Sequence, residues 1–201
     1  METATKALVL LLAAGAIAGV LTWSAWSSRE GSGIASPLQS SMDETAGFSL
    51  TSDAFPDGGM IPAAYTCDGE GASVPLAVSG IPEGTQSLAL IMDDPDIPEA
   101  VKDAQGIAVY DHWVRYGITP EDGAIEAGDG GEGQNSAGTI GYAPPCPPAQ
   151  YEPKEHRYVF TLYALAAPLA FEIPPTKQDL LARMDGDIIA TTSLVGMYAR
   201  K

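Results

Sequence analysis

The chain has little positive charge: 10 Lys and Arg stand against 26 Asp and Glu, a formal net charge of −16 over 201 residues. A field of that sign repels nucleic acid and anionic lipid headgroups, so no nucleic-acid partner is expected. Cysteine is equally scarce. Cys67 and Cys146 are too few for a disulfide-built miniature fold and lack the paired spacing of a zinc site. They could be two free thiols or one bridge, and compartment decides, because disulfides persist outside the cytosol and are rare within it. The Walker loop, G-x-S-x-G and H-E-x-x-H are all missing, which removes the common phosphate-loop, serine-nucleophile and metalloprotease signatures. Residues 128–133 have the form G-x-G-x-x-G, but no strand precedes them, no helix follows, and two carboxylates sit where a phosphate would be, so a loop is expected there.

What remains is sufficient for a folded domain. With 45% hydrophobic and 18% charged residues, the chain is globular in type and long enough for one well-cored domain plus extras. From Ala7 to Trp26 there are 20 residues without a charge. That length crosses a bilayer as a helix, and Trp23 and Trp26 suit the membrane interface. A signal segment cut near Ala16-Ile17-Ala18 is the alternative, yet that cut would fall inside the apolar run. The favoured reading is an uncleaved transmembrane anchor over 1–26, a flexible Ser- and Gly-rich linker over 27–46, and one domain over 47–201 held outside the cytoplasm at the cell membrane. Secretion after cleavage is the alternative location.

Within the domain, segments alternate like half-buried strands at Phe48-Ser49-Leu50-Thr51, at Ser87 to Met92 and at Tyr158 to Leu165. Turn residues such as Pro56-Asp57-Gly58-Gly59 and Pro120-Glu121-Asp122-Gly123 separate them. One helix is legible near the end: Thr176 caps it, Asp179 stands three on, Leu180, Leu181 and Met184 form one face, and Asp185-Gly186 stops it. The expected class is mainly β with a few short helices.

Four motifs carry the chemistry. Asp93-Asp94-Pro95-Asp96 closes an apolar strand and places carboxylates at its end, before rigid prolines. The chain has only two histidines, and both fall in such motifs: His112 in Asp111-His112-Trp113, on the next apolar stretch, and His156 in His156-Arg157-Tyr158, at a strand entry. Between them, Gly141-Tyr142-Ala143-Pro144-Pro145-Cys146-Pro147-Pro148 forms a stiff segment with four prolines. Histidine donates, accepts, ligates metals or meets anions near neutral pH, whereas a lone histidine is more often a satisfied core residue. Arg157 is expected to pair with one of the many carboxylates. Cys146 as a nucleophile is disfavoured, because flanking prolines lack the N–H groups that stabilise an oxyanion.

Taken in order, Asp94-Pro95-Asp96, His112-Trp113, Gly141-Tyr142-x-x-Pro145-Cys146-Pro147-Pro148 and His156-Arg157-Tyr158 resemble the phosphatidylethanolamine-binding protein family, most closely its bacterial Raf-kinase-inhibitor-like branch. The resemblance runs from about Phe48 to Arg200. It implies a large central antiparallel sheet, a smaller sheet, helices near the C-terminus, and a pocket for small anions or phosphorylated molecules. Asp94, Asp96, His112, Pro144, Pro145, His156 and Tyr158 are the implied ligand-binding residues, with the two imidazoles donating to an oxyanion and the carboxylates behind them. The chain departs from the family pattern at Pro144, where Gly is usual, at Ile97, where Ala is usual, and at Asp187, where this branch often has His.

The resulting expectation is a binding module without a cofactor, whose ligand is a small anion or phosphorylated molecule and whose further partner is a protein. Replacing either histidine by alanine should abolish binding and leave folding intact. Two other classes compete: a metal-dependent enzyme using Asp94, Asp96, His112 and His156, since two His with carboxylate is a known ligand set, and a protease or kinase inhibitor, which rests on family association alone.

Overall fold

The computed structural model describes residues 47–200. The expected anchor over 1–26 and linker over 27–46 lie outside those residues. Among the described residues, no helix is long and apolar enough to cross a membrane.

The element order is β1 (Ser49–Thr51), β2 (Gly59–Met60), a 3-10 turn (Ala63–Tyr65), β3 (Ala77–Ser79), β4 (Ser87–Asp94), α1 (Glu99–Gln105), β5 (Tyr110–Ile118), β6 (Gly123–Ala124), β7 (Gly131–Glu132), β8 (Glu155–Leu165), α2 (Lys177–Met184) and β9 (Ile188–Ala199). Six strands form a large sheet in the order β2-β9-β8-β4-β5-β7, and three form a small one in the order β1-β3-β6. Every pairing is antiparallel except the short β2–β9 contact, which is parallel.

β4 explains the layering. Its first six residues are all buried, because alternate side chains enter two different cores. Leu88, Leu90 and Met92 pack with Leu50, Val78, Phe160 and Leu162 on the side covered by the small sheet. Ala89 and Ile91 pack with Val114, Leu180 and Met184 on the side covered by α2. Burying a large aliphatic side chain contributes roughly 1.5–3 kcal/mol, so this strand is the axis of the fold.

α2 forms where the capping pattern places it. Thr176 accepts the Asp179 N–H, and Asp179 in turn accepts the Thr176 N–H. Leu180 and Met184 are buried beneath the helix, whereas Leu181 is 37% exposed and does not belong to the inner face. α1 follows Pro98 directly and ends at Gly106, whose φ of 66° is the left-handed conformation that lets a helix stop there. β9 escapes sequence reading for a physical reason. In its first half the neighbouring Ile188 and Ile189, on opposite faces of the strand, are both exposed, so no inside-outside alternation of polarity marks it.

A disulfide joins Cys67, just after the 3-10 turn, to Cys146 in the proline-rich segment, with Cα atoms 5.4 Å apart. A sulfur already bonded to another cannot act as a nucleophile, so the Cys146 nucleophile reading is closed. The bridge spans 79 residues. Closing a loop of that length removes unfolded-chain entropy worth about 4 kcal/mol. The Cys67→Ser, Cys146→Ser double variant is therefore expected to lose about 2–4 kcal/mol in denaturant unfolding. Unchanged stability would show that the bridge does not constrain the unfolded chain.

Candidate binding site

Because β4 runs antiparallel to both β5 and β8, its C-terminal end meets their N-terminal ends. That junction brings Asp94 on β4, Tyr110 and His112 on β5, and His156 and Tyr158 on β8 to one cavity of about 250 Å³. Along β8, His156, Tyr158, Phe160 and Leu162 share one face, so the strand that fills the core also supplies the floor of the cavity.

His112 reaches the floor through a bulge. In the β4–β5 register, Met92 pairs with Trp113 and Asp93 with Asp111, leaving His112 as the extra residue on β5. A bulge of this kind re-aims a side chain at a strand end. Here it turns the imidazole against Tyr158, 5.2 Å between ring centroids, and against Tyr110, 4.8 Å. Beyond the bulge, Asp93 and Asp111 lie on the opposite face of the sheet, where Lys177 at the start of α2 donates to both, at 2.8 and 3.1 Å.

The floor is organised by a buried ion pair. Asp94 is 2% exposed and His156 is 1% exposed. His156 Nδ1 lies 2.6 Å from Asp94 Oδ2, and its Nε2 lies 3.1 Å from the Pro153 carbonyl oxygen. Both partners are acceptors only, so both ring nitrogens carry hydrogens and His156 is an imidazolium. Burial opposes its charge, but the Asp94 hydrogen bond and charge outweigh burial and raise its proton affinity above that of an ordinary histidine. Burial likewise opposes ionisation of Asp94, and the facing imidazoles and the Asp96 N–H more than offset it, holding the carboxyl below its usual range. Asp94 Oδ1 accepts that Asp96 N–H at 2.8 Å.

Two polar groups on the floor remain open. His112 Nδ1 donates to the Ala143 carbonyl at 2.7 Å, which fixes the tautomer and turns Nε2 inward. Nε2 lies 3.9 Å from Asp94 Oδ2, too far for a hydrogen bond. The Tyr158 hydroxyl is fully buried and has no hydrogen-bond partner. Burial, with Asp94 adding to it, pushes the phenol well above its usual range and keeps the O–H as a donor.

The walls are apolar and held at several points. Ile97, Pro98 and Val101 form one side, and Ala143, Pro144, Cys146, Pro147 and Pro148 form the other. The proline-rich wall is fastened by Ala143 N–H donating to the His112 carbonyl at 2.8 Å, by Cys67 N–H donating to the Pro145 carbonyl at 3.0 Å, and by Tyr142 O–H donating to the Tyr65 carbonyl at 2.9 Å. The disulfide adds a covalent tie.

Of the residues expected at the site, Asp94, His112, Pro144, His156 and Tyr158 line the cavity. Two stand behind it instead. Asp96 faces Arg157, which grips it through Nε at 2.8 Å and Nη2 at 2.7 Å, and Pro145 is buried in the wall with its carbonyl turned to Cys67. Asp187 sits at the end of α2 near Arg183 and is not among the lining residues. Two expectations need correcting. His156 cannot donate to an anion, because both of its N–H groups are engaged within the protein. The proposed metal set fails as well: Asp96 is turned to Arg157, both His156 nitrogens are occupied, and no three His, Cys, Asp or Glu among the described residues are arranged to hold a metal. Tyr110 and Val101 were missed. Tyr110 lies two residues before His112, a spacing that marks a shared strand face, but the bulge at His112 interrupts the alternation along the rest of β5, and α1 carries no pattern of its own strong enough to place Val101.

A family model described as phosphatidylethanolamine-binding protein matches residues 51–199. A UPF0098 protein of Chlamydia trachomatis is 44% identical over 154 residues, covering 75% of this chain and 98% of the relative. Another, of Methanothermobacter thermautotrophicus, is 42% identical with the same coverage of both chains. Among solved structures, the phosphatidylethanolamine-binding protein homologue CT736 of Chlamydia trachomatis is 41% identical, with a TM-score of 0.71 over 77% of this chain and 99% of its own. YbcL of E. coli, at 24% identity and a TM-score of 0.65, shares the fold.

The ion pair sets a pH window for stability. His156, raised in the folded state, contributes stability that is complete below the unfolded histidine pKa and is lost as pH climbs through the higher folded value. Asp94, lowered, contributes above the unfolded carboxyl pKa and is lost as pH falls through the lower folded value. Both terms are therefore full between about pH 4 and pH 6.5. Removing one partner of a buried pair costs about 3–5 kcal/mol, so His156→Gln is expected to lose about that much at pH 5.5 and less at strongly alkaline pH, measured by urea unfolding across the range. A deficit that is independent of pH would contradict the ion pair.

Proposed function

From the premise that the chain belongs to the phosphatidylethanolamine-binding protein family, we propose that its domain is a binding module for a small oxyanion or the phosphorylated head of a small molecule. The observation that carries this reading is the pair of open polar groups on the cavity floor. A buried hydroxyl without a partner is costly, about 1–3 kcal/mol, and a ligand oxygen accepting its hydrogen removes that penalty. Tyr158 O–H and His112 Nε2 face one cavity, and both can donate to such an oxygen when the imidazole is protonated. The walls suit a binder, since prolines and a disulfide hold the cavity open without ordering costs on association.

The reading extends to location. The uncharged run of 20 residues from Ala7 to Trp26 is long enough to anchor the protein, and a cystine persists in an oxidising compartment. Both favour a domain tethered at the membrane outside the cytoplasm.

Titrating phosphoethanolamine into the full-length protein should shift the His112 ring signals in NMR spectra and leave those of His156 nearly still. Tyr158→Phe should weaken binding roughly tenfold, the value of one hydrogen bond to a charged group. Unmoved His112 signals at millimolar ligand would sink the proposal.

A further inference from the structure

The floor of the cavity is nearly charge-balanced before any ligand arrives. Asp94 and His156 form an internal pair of opposite charges, and none of the residues lining the cavity is Lys or Arg. The proline-rich wall offers few backbone donors, and Asp94 Oδ2 is 3.9 Å from the one open imidazole nitrogen. Every group that faces His112 can be named: Asp94 from β4, His156 and Tyr158 from β8, Tyr110 from its own strand, and the Ala143 carbonyl from the wall.

With its hydrogen on Nδ1, a neutral His112 presents a lone pair to the cavity. A fully ionised ligand oxygen would then meet that lone pair and a nearby carboxylate, with only the Tyr158 hydroxyl in its favour. One added proton reverses this, because an N–H or O–H between Nε2 and the ligand oxygen makes a charge-assisted hydrogen bond. We propose that the cavity takes its ligand together with one proton, held between His112 Nε2 and a ligand oxygen, and so selects singly charged organic acids over dianionic inorganic phosphate. The proton comes from solvent, and the complex is the same whether it is written as imidazolium with carboxylate or as imidazole with acid. Ile97, Pro98 and Val101 on one side and Pro144 and Pro147 on the other give the selected acid an apolar surface for its substituent. The proposal rests on the binding reading above and adds to it the protonation state and charge of the ligand.

Butyrate tests it, since a carboxylate stays ionised from pH 6 to pH 8 and any proton taken up is taken up by the complex. Calorimetry on the full-length protein, in two buffers of different ionisation enthalpy, should report uptake approaching one proton at pH 8. Affinity should fall as pH rises, by about tenfold per pH unit where one whole proton is taken up with each ligand. Tyr158→Phe should weaken binding at every pH and leave the proton count unchanged. His112→Gln places an amide N–H where the imidazolium would donate and should bind without proton uptake. Inorganic phosphate should bind more weakly at pH 8 than at pH 6. Butyrate binding with flat pH dependence and no buffer effect, or phosphate binding more tightly at pH 8, overturns proton coupling while leaving the binding module standing. Absence of binding by both butyrate and phosphoethanolamine at every pH overturns both.

Discussion

The contact between Asp94 and His156 governs the end of the large sheet. A carboxylate that is 2% exposed needs partners for both oxygens, and it finds them in the His156 ring and the Asp96 N–H. His156 in turn reaches the Pro153 carbonyl, so the loop before β8 is tied to the end of β4. Asp96 closes the arrangement from outside by gripping Arg157 on β8. Buried pairs of this kind add little net stability compared with an apolar filling of the same shape, but losing one partner is severe. Their effect here is positional: the pair ties the end of β4 to the start of β8 beside the cavity.

That arrangement separates the two histidines by role. His156 is part of the frame, saturated by the protein and tied to folding. His112 is placed by a bulge and oriented by the Ala143 carbonyl, with one ring nitrogen left over. The same bulge sends Asp111 to the other face of the sheet, where it pairs with Lys177 and helps seat α2. One inserted residue thus aims a functional group inward and a structural group outward. The wall opposite is fixed independently, through Cys67, Tyr65 and the His112 backbone, so the cavity is bounded by two rigid assemblies whose links cross at His112.

The sequence showed elements whose two faces differ in polarity or whose ends are chemically marked. β8 alternates, and α2 has a capping box, so both were legible. β9 was not, because the apolar Ile188 and Ile189 in its first half are exposed, and α1 was not, because it is short and buries no residue. At the site, motif order located Asp94, His112, His156 and Tyr158, whereas hydrogen-bond direction decided their roles. Nothing in the string His156-Arg157-Tyr158 says that both imidazole nitrogens will meet acceptors. Nothing in Asp94-Pro95-Asp96 says that the first carboxylate turns inward and the second outward to Arg157. These outcomes depend on which strand ends meet, and they follow from register.

Net charge and local chemistry point in opposite directions in this molecule, and the geometry shows which governs the cavity. A formal charge of −16 lowers the concentration of anions near the surface. That long-range field is screened beyond about 8 Å at physiological ionic strength, whereas groups on a buried floor act at hydrogen-bond distance. Asp94 would dominate the floor if it stood alone, but His156 cancels its charge within 2.6 Å. What a ligand oxygen meets is then set by two donors, a hydroxyl that keeps its proton and an imidazole that can acquire one. Pro144, in place of the glycine usual in the family, presents no N–H that could share that work. An acidic protein would in this way hold an anionic ligand, provided the cavity keeps beside His112 a proton taken from solvent on binding.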